Sequence, residues 1–219
     1  MSETETDTPT LSELQLDALT ELVNLGVSSA ATSLSELVRE EVVLSVPKAC
    51  VVTREQAIAN LKEHDAKRLV AIHQDFDGDI RGRALLIFPE ARSMELIRAL
   101  VGPELSLDDI VELEQEALAE TGNILLNGCL STMANSLQRN LRISLPEVIH
   151  GEGPDFFTSN SDADETVLFI YINFVVKQRD IQGFLAMILD LPSLVTLRNL
   201  LDAYIERSTG QSPAADHVG

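Results

Sequence analysis

An internal repeat at a spacing of 99 residues constrains this chain of 219 residues more than any other feature. Glu21, Asn24, Ser45 and Pro47 recur at that spacing as Glu120, Asn123, Ser144 and Pro146. Further on, Asp79-Ile80-Arg81-Gly82 returns as Asp180-Ile181-Gln182-Gly183, at a spacing of 101. Units of about a hundred residues are too long for a solenoid, whose repeats run roughly 20–50 residues. The expectation is an α+β domain over 10–206, built from two repeats (about 10–104 and 105–206) related by a pseudo-twofold axis.

Hydrophobic periodicity fills in the elements. Leu14, Leu19, Leu22, Leu25, Ala30 and Leu34 follow helical spacing and predict a helix over 11–38. A strand at 41–51 and a short helix at 54–63 come next. RLVAIHQDF and DIRGRALLIF read as two strands around the turn signal Asp77-Gly78, and a helix at 90–101 stops at Gly102-Pro103. The order then restarts: a helix over 107–139 with Ser106 and Asp109 as a possible cap, a strand at 140–149, a polar loop at 151–164, strands at 166–176 and 180–189, and a helix at 192–206. Short turns between strands predict an antiparallel sheet. The polar ends, 1–9 and 207–219, read as disordered tails.

Composition narrows the function classes. A formal charge of −19 argues against nucleic acid and anionic membrane surfaces as partners. The chain has no apolar run of the ~18–20 residues a membrane span needs, and its acidic start is unlike a secretory or transit segment, so a cytoplasmic protein is expected. Four Lys against twelve Arg, with few aromatics, would suit a salt-rich cytoplasm. Cys50 and Cys129 show no C-x-x-C spacing and read as small core residues. The four His form no ligand pattern, so no protein-owned metal or cofactor is expected. No G-x-S-x-G elbow, P-loop or G-x-G-x-x-G stands in a suitable setting, and Ser28 and Ser29 lack a His partner in sequence.

What remains is a polar stripe. Asp17, Glu21, Asn24 and Ser28 follow an i, i+4, i+7, i+11 pattern, and Glu116, Glu120, Asn123 and Asn127 repeat it. Asn is a poor helix former, and Gly26 and Gly122 nearby each cost about 1 kcal/mol relative to Ala. A single polar stripe usually faces water and does nothing more. Two in register, each with a proline 23 residues beyond its Asn, select for something besides stability.

Asp17-x-x-x-Glu21-x-x-Asn24 followed by Pro47, and Glu120-x-x-Asn123 followed by Pro146, resemble the signature of the CheC/CheX/FliY family of chemotaxis phosphatases. ELVNLGVSSAATSLSELV and LAETGNILLNGCLSTMANSL look like the corresponding CheC helices, and the likeness covers roughly 11–206. It implies a CheC-like fold with two long exposed motif helices, and as partner a CheY-like response regulator phosphorylated on aspartate. Glu21 and Glu120 would pair with a regulator lysine. Asn24 and Asn123 would hold the attacking water, with Asp17, Ser28, Glu116 and Asn127 touching the partner. Mg²⁺ would come from the regulator. Both Asn side chains should then stand exposed with their hydrogen bonds free.

The sequence departs from the family pattern in places. Glu116 stands where Asp or Ser is usual, Val23 where Gly is common, and Val27-Ser28-Ser29 replaces a run richer in Gly and Asn. Relatives also bind the deamidase CheD through a short helix, and the matching region here, EVIHGEGPDFFTSNSDADE, is rich in turn formers. Phe156-Phe157 could dock such a partner or pack internally. The competing readings are a non-catalytic module like the middle domain of FliM, or a CheD-binding adaptor.

Overall fold

The computed structural model describes residues 11–38, 41–63, 68–101, 107–157, 165–176 and 179–210. The first half holds α1 (Glu13–Val38), β1 (Val42–Val52), α2 (Arg54–Glu63), β2 (Leu69–Gly78), β3 (Gly82–Pro89) and α3 (Glu90–Val101). The second holds α4 (Leu107–Ser136), β4 (Leu141–Ile143), β5 (Glu147–Gly151), α5 (Gly153–Phe156), β6 (Glu165–Val176), β7 (Arg179–Asp190) and α6 (Leu191–Thr209).

Among the described residues the strands form one antiparallel sheet in the order β1-β6-β7-β3-β2-β4, with β5 also paired to β2. The two halves exchange their strands: β1 lies against β6, β4 and β5 lie against β2, and β3 meets β7 at the centre. Read from either end, the sheet therefore meets corresponding strands in the same order.

Alternation along each strand sorts side chains onto two faces. Val70, Ile72, Phe76, Leu86, Phe88, Ile170 and Leu185 belong to a large core with residues of α1, α3, α4 and α6. Leu69, Ala71, Leu85, Ile87, Phe169 and Phe184 belong to a smaller one with Ala57 and Leu61 of α2 and with Phe156 and Phe157. Both faces are covered, which is why β2 reads as a nearly continuous apolar run rather than an alternating one.

Local capping starts several helices. The Ser12 backbone N–H donates to Gln15 Oε1 (2.9 Å) and Gln15 N–H returns to Ser12 Oγ (3.3 Å). Thr53 and Gln56 repeat this reciprocal pair at α2, at 3.0 and 3.3 Å. Asp190 caps α6 through the Ser193 N–H (2.8 Å), and Gly210, at φ 67°, closes that helix in the left-handed conformation.

Several expectations need correction. Leu14 and Leu25 sit on the solvent side of α1, although Leu19, Leu22, Ala30 and Leu34 are core. The second long helix ends at Ser136, and Gln138 turns out of it with φ 57°. The strand expected at 140–149 is broken at Ser144-Leu145-Pro146 into β4 and β5. One helical turn, α5, stands inside the expected loop, and α6 runs through Thr209, past the expected boundary at 206. Cys129 is fully buried, whereas Cys50 is partly buried beside the smaller core. The proposed Ser106–Asp109 cap and most of both tails lie outside the described residues.

Candidate active site

The two motif helices pack on each other through small residues. A Cβ placed on Gly26 would stand 2.6 Å from Cys129 Cα and 2.9 Å from the Gly128 carbonyl oxygen. Gly128 in turn faces Ala30. Only hydrogen fits at Gly26, so α1 and α4 approach closely enough to touch backbone to backbone. Gly122 does the same for α4 against the sheet, where a Cβ would stand 2.3 Å from Ile72 Cγ2. The two glycines beside the stripes, unfavourable for an isolated helix, are explained by this packing.

Asp17, Glu21, Glu116 and Glu120 are exposed and make no hydrogen bond or ion pair with the described residues. Their carboxylates are available to an incoming cation. Ser28 is also exposed, while Asn24, Asn123 and Asn127 are half-buried.

The expectation of free carboxamides is corrected in part. The Val46 backbone N–H donates to Asn24 Oδ1 at 3.3 Å. Asn123 Oδ1 accepts from Asn127 Nδ2 (2.6 Å) and from Gln74 Nε2 (3.4 Å). In both side chains the amide nitrogen has no partner among the described residues. The carbonyl ends are anchored to the protein and the N–H₂ ends are not. Asn24 keeps one further acceptor lone pair, since only a single donor reaches it.

These anchors explain the distant proline. The Ser-x-Pro segment brings a strand kink beside each Asn. In the first half a register shift between Ser45 and Lys48 leaves Val46 unpaired with β6, so its N–H is available to Asn24. In the second half Gln74 bridges Asn123 to the Ser144 carbonyl oxygen (2.9 Å), and Ser144 joins Asp75 through its N–H (2.9 Å) and its Oγ (3.0 Å).

Sequence reasoning missed Gln74. The signal was present as a polar residue on the helix-facing side of an otherwise apolar β2, in step with Val70, Ile72 and Phe76. The halves also differ at the kink itself. Val46 is 7% exposed, whereas its counterpart Leu145 is 84% exposed.

Burial pushes the Cys129 thiol up to about 12, so it is no thiolate nucleophile near neutral pH. Phe156 and Phe157 are buried in the smaller core and are packing residues. Among the described residues no group of three or more His, Cys, Asp and Glu is placed to hold a metal ion, and no helix is long and apolar enough to cross a membrane.

Comparison with known proteins finds related sequences and a shared fold. The model of the CheC-like family matches residues 14–49, which span most of α1 and the kink of β1. The model described as chemotaxis phosphatase CheX matches 70–173, from β2 through α4 into β6. The CheY-P phosphatase CheC of Bacillus subtilis is 28% identical over 141 residues, 63% of this chain and 67% of that protein. The putative CheY-P phosphatase CheC1 of Halobacterium salinarum is 26% identical over 152 residues, 69% of this chain and 76% of that protein. The crystal structure of Thermotoga maritima FliY shares the fold with a TM-score of 0.70 at 16% identity, covering 91% of this chain and 99% of that one. With its helices packed on an antiparallel sheet and its two Glu-x-x-Asn helices, the chain is similar over 14–49 and 70–173 to the CheC/CheX/FliY family of chemotaxis phosphatases.

Proposed function

We propose that this protein hydrolyses the aspartyl phosphate of a CheY-type response regulator, using Glu21/Asn24 and Glu120/Asn123 as two sites in a duplicated domain. The observation that carries the reading is the shared pattern of the two helices. Each presents an exposed, unpaired glutamate and, one turn on, a half-buried asparagine anchored by its carbonyl with its N–H₂ end unpartnered. The exchange of corresponding strands between the halves supports the duplication.

The chemistry asks for positioning rather than a strong base. Water attacks phosphorus in line with the bond to the aspartate oxygen. That bond breaks, the aspartate leaves as a carboxylate of low basicity, and the phosphoryl group departs as inorganic phosphate with the water's oxygen. A leaving group this stable needs no proton, so a carboxamide that fixes the water supplies most of what is required. The exposed glutamate pairs with a lysine of the regulator through a charge-assisted bond and sets the docking register. Asp17 and Glu116, one turn earlier, extend the acidic surface for the same partner. Mg²⁺ belongs to the regulator in this reading.

Single-turnover decay of a phosphorylated regulator tests it. Wild-type protein should shorten the phosphate lifetime, and the Asn24→Ala/Asn123→Ala double variant should lose on the order of 10²-fold in rate. A double variant as fast as wild type would refute the assignment. Binding of the phosphorylated regulator with its lifetime unchanged would favour the non-catalytic, FliM-like module instead.

A further inference from the structure

Gln74 is 1% exposed, and its Oε1 is buried with no hydrogen-bond partner. Its two N–H groups go to Asn123 Oδ1 and to the Ser144 carbonyl oxygen. An apolar side chain would avoid the unmet carbonyl, and the other half uses one. Lys48 pairs with Tyr171 where its counterpart Glu147 pairs with His73, so Ile172 occupies the place of Gln74, and Ile172 is equally buried. The fold accommodates an isoleucine at this position of the sheet, yet the second half keeps a glutamine aimed at the motif Asn.

The consequence is a difference between the two sites. Asn123 Oδ1 receives two donors, Asn127 from the same helix and Gln74 from the sheet below, which together fix the plane of its carboxamide. Both lone pairs are engaged, so only N–H donors are left for a ligand. Asn24 is held by a single donor, a backbone N–H.

Resting on the phosphatase reading above, we infer that Gln74 is a positioning residue of the second site alone, clamping Asn123 with Asn127 so that its amide N–H donates to the attacking water. Donation to one lone pair of the water leaves the other for phosphorus. Asn127 thereby acts on Asn123 rather than on the partner. The second site is preorganised, and the first orders its Asn when the regulator docks.

The experiment separates the sites. In Asn24→Ala protein, where the second site acts alone, Q74M removes the donors at similar length and should slow single-turnover dephosphorylation at saturating regulator about tenfold. The half-saturating regulator concentration should stay the same. The effect of Q74M should vanish once Asn123 is alanine, because the first site then acts. Equal rates with and without Q74M in the Asn24→Ala background overturn the inference, as does an equal loss in the Asn123→Ala background, which would mark a general structural role. A second measurement needs no activity and no variant. In wild-type protein the side-chain amide of Asn123 should be rigid by NMR relaxation and that of Asn24 mobile, and an Asn123 amide as mobile as Asn24 overturns the clamp. A wild-type protein that leaves the phosphate lifetime untouched counts against the phosphatase reading, while the relaxation result still decides the clamp.

Discussion

Gly26 of α1 and Cys129 of α4 meet so closely that a Cβ on the glycine would lie 2.6 Å from the cysteine Cα. The obstacle is backbone, which cannot rotate away. Gly26→Ala should therefore destabilise the fold by roughly 1–3 kcal/mol, even though alanine is the better helix former. Gly128→Ala should cost less, because its Cβ would stand 3.1 Å from the Ala30 methyl and the gain in helix propensity partly offsets the crowding. Urea midpoints should rank wild type and Gly128→Ala above Gly26→Ala. The reverse order would mean the helices are not in backbone contact.

Gly122 and Ile72 form a second close pair, at the base of the second motif. Gly122→Ala alone forces Ile72 or the helix aside, and Ile72→Ala alone opens a cavity worth about 2–5 kcal/mol. Combined, the new methyl occupies part of the space that the isoleucine vacates. The double variant should be less destabilised than the sum of the singles by about 1 kcal/mol or more, measured as a double-mutant cycle. Strict additivity would show that the two residues do not touch.

Cys129 supplies a pH dependence. Its thiol is pushed up from 9.0 to about 12 by burial, so the folded state holds the proton that the unfolded chain releases. The contribution is fully present below pH 9.0 and is lost as pH rises from there toward about 12. Wild-type stability should thus fall more steeply above about pH 9 than that of Cys129→Ala, as read by urea denaturation across that range. Parallel curves would contradict the buried thiol.

Leu145 and Val46 occupy corresponding positions with opposite exposure, 84% against 7%. Leu145→Ser should leave stability within about 0.5 kcal/mol of wild type, whereas Val46→Ala should lower it measurably. An exposed leucine beside the second site is suited to partner burial, worth roughly 1.5–3 kcal/mol when complete. Titration of Asn24→Ala protein with phosphorylated regulator should show about tenfold weaker docking after Leu145→Ser. Unchanged docking would remove Leu145 from the interface.

Much of the fold was legible before any coordinates. RLVAIHQDF and DIRGRALLIF read as strands, and the repeat set the same order of elements in each half, whereas the covering of both sheet faces came from the structure. Boundaries were less legible, because a helix end depends on local geometry that periodicity does not carry. Gln138 leaves α4 through a positive φ that no glycine advertises, and the strand broken at Pro146 reads as continuous. Leu25 fits a helical stripe by spacing, but its side of α1 faces water.

At the candidate site the sequence by itself determined which side chains share a helix face, because the helical period alone sets that. It therefore named both glutamates, both asparagines and the prolines that follow them. Only the tertiary structure decided what holds the asparagines. Val46 N–H reaches Asn24 across a strand kink 22 residues away, and Gln74 reaches Asn123 from a strand 49 residues earlier in the chain. Such contacts arise when separate elements pack, and no local pattern of residue types encodes the distance between them. Packing likewise made the halves unequal, with one asparagine clamped by two donors and the other held by one.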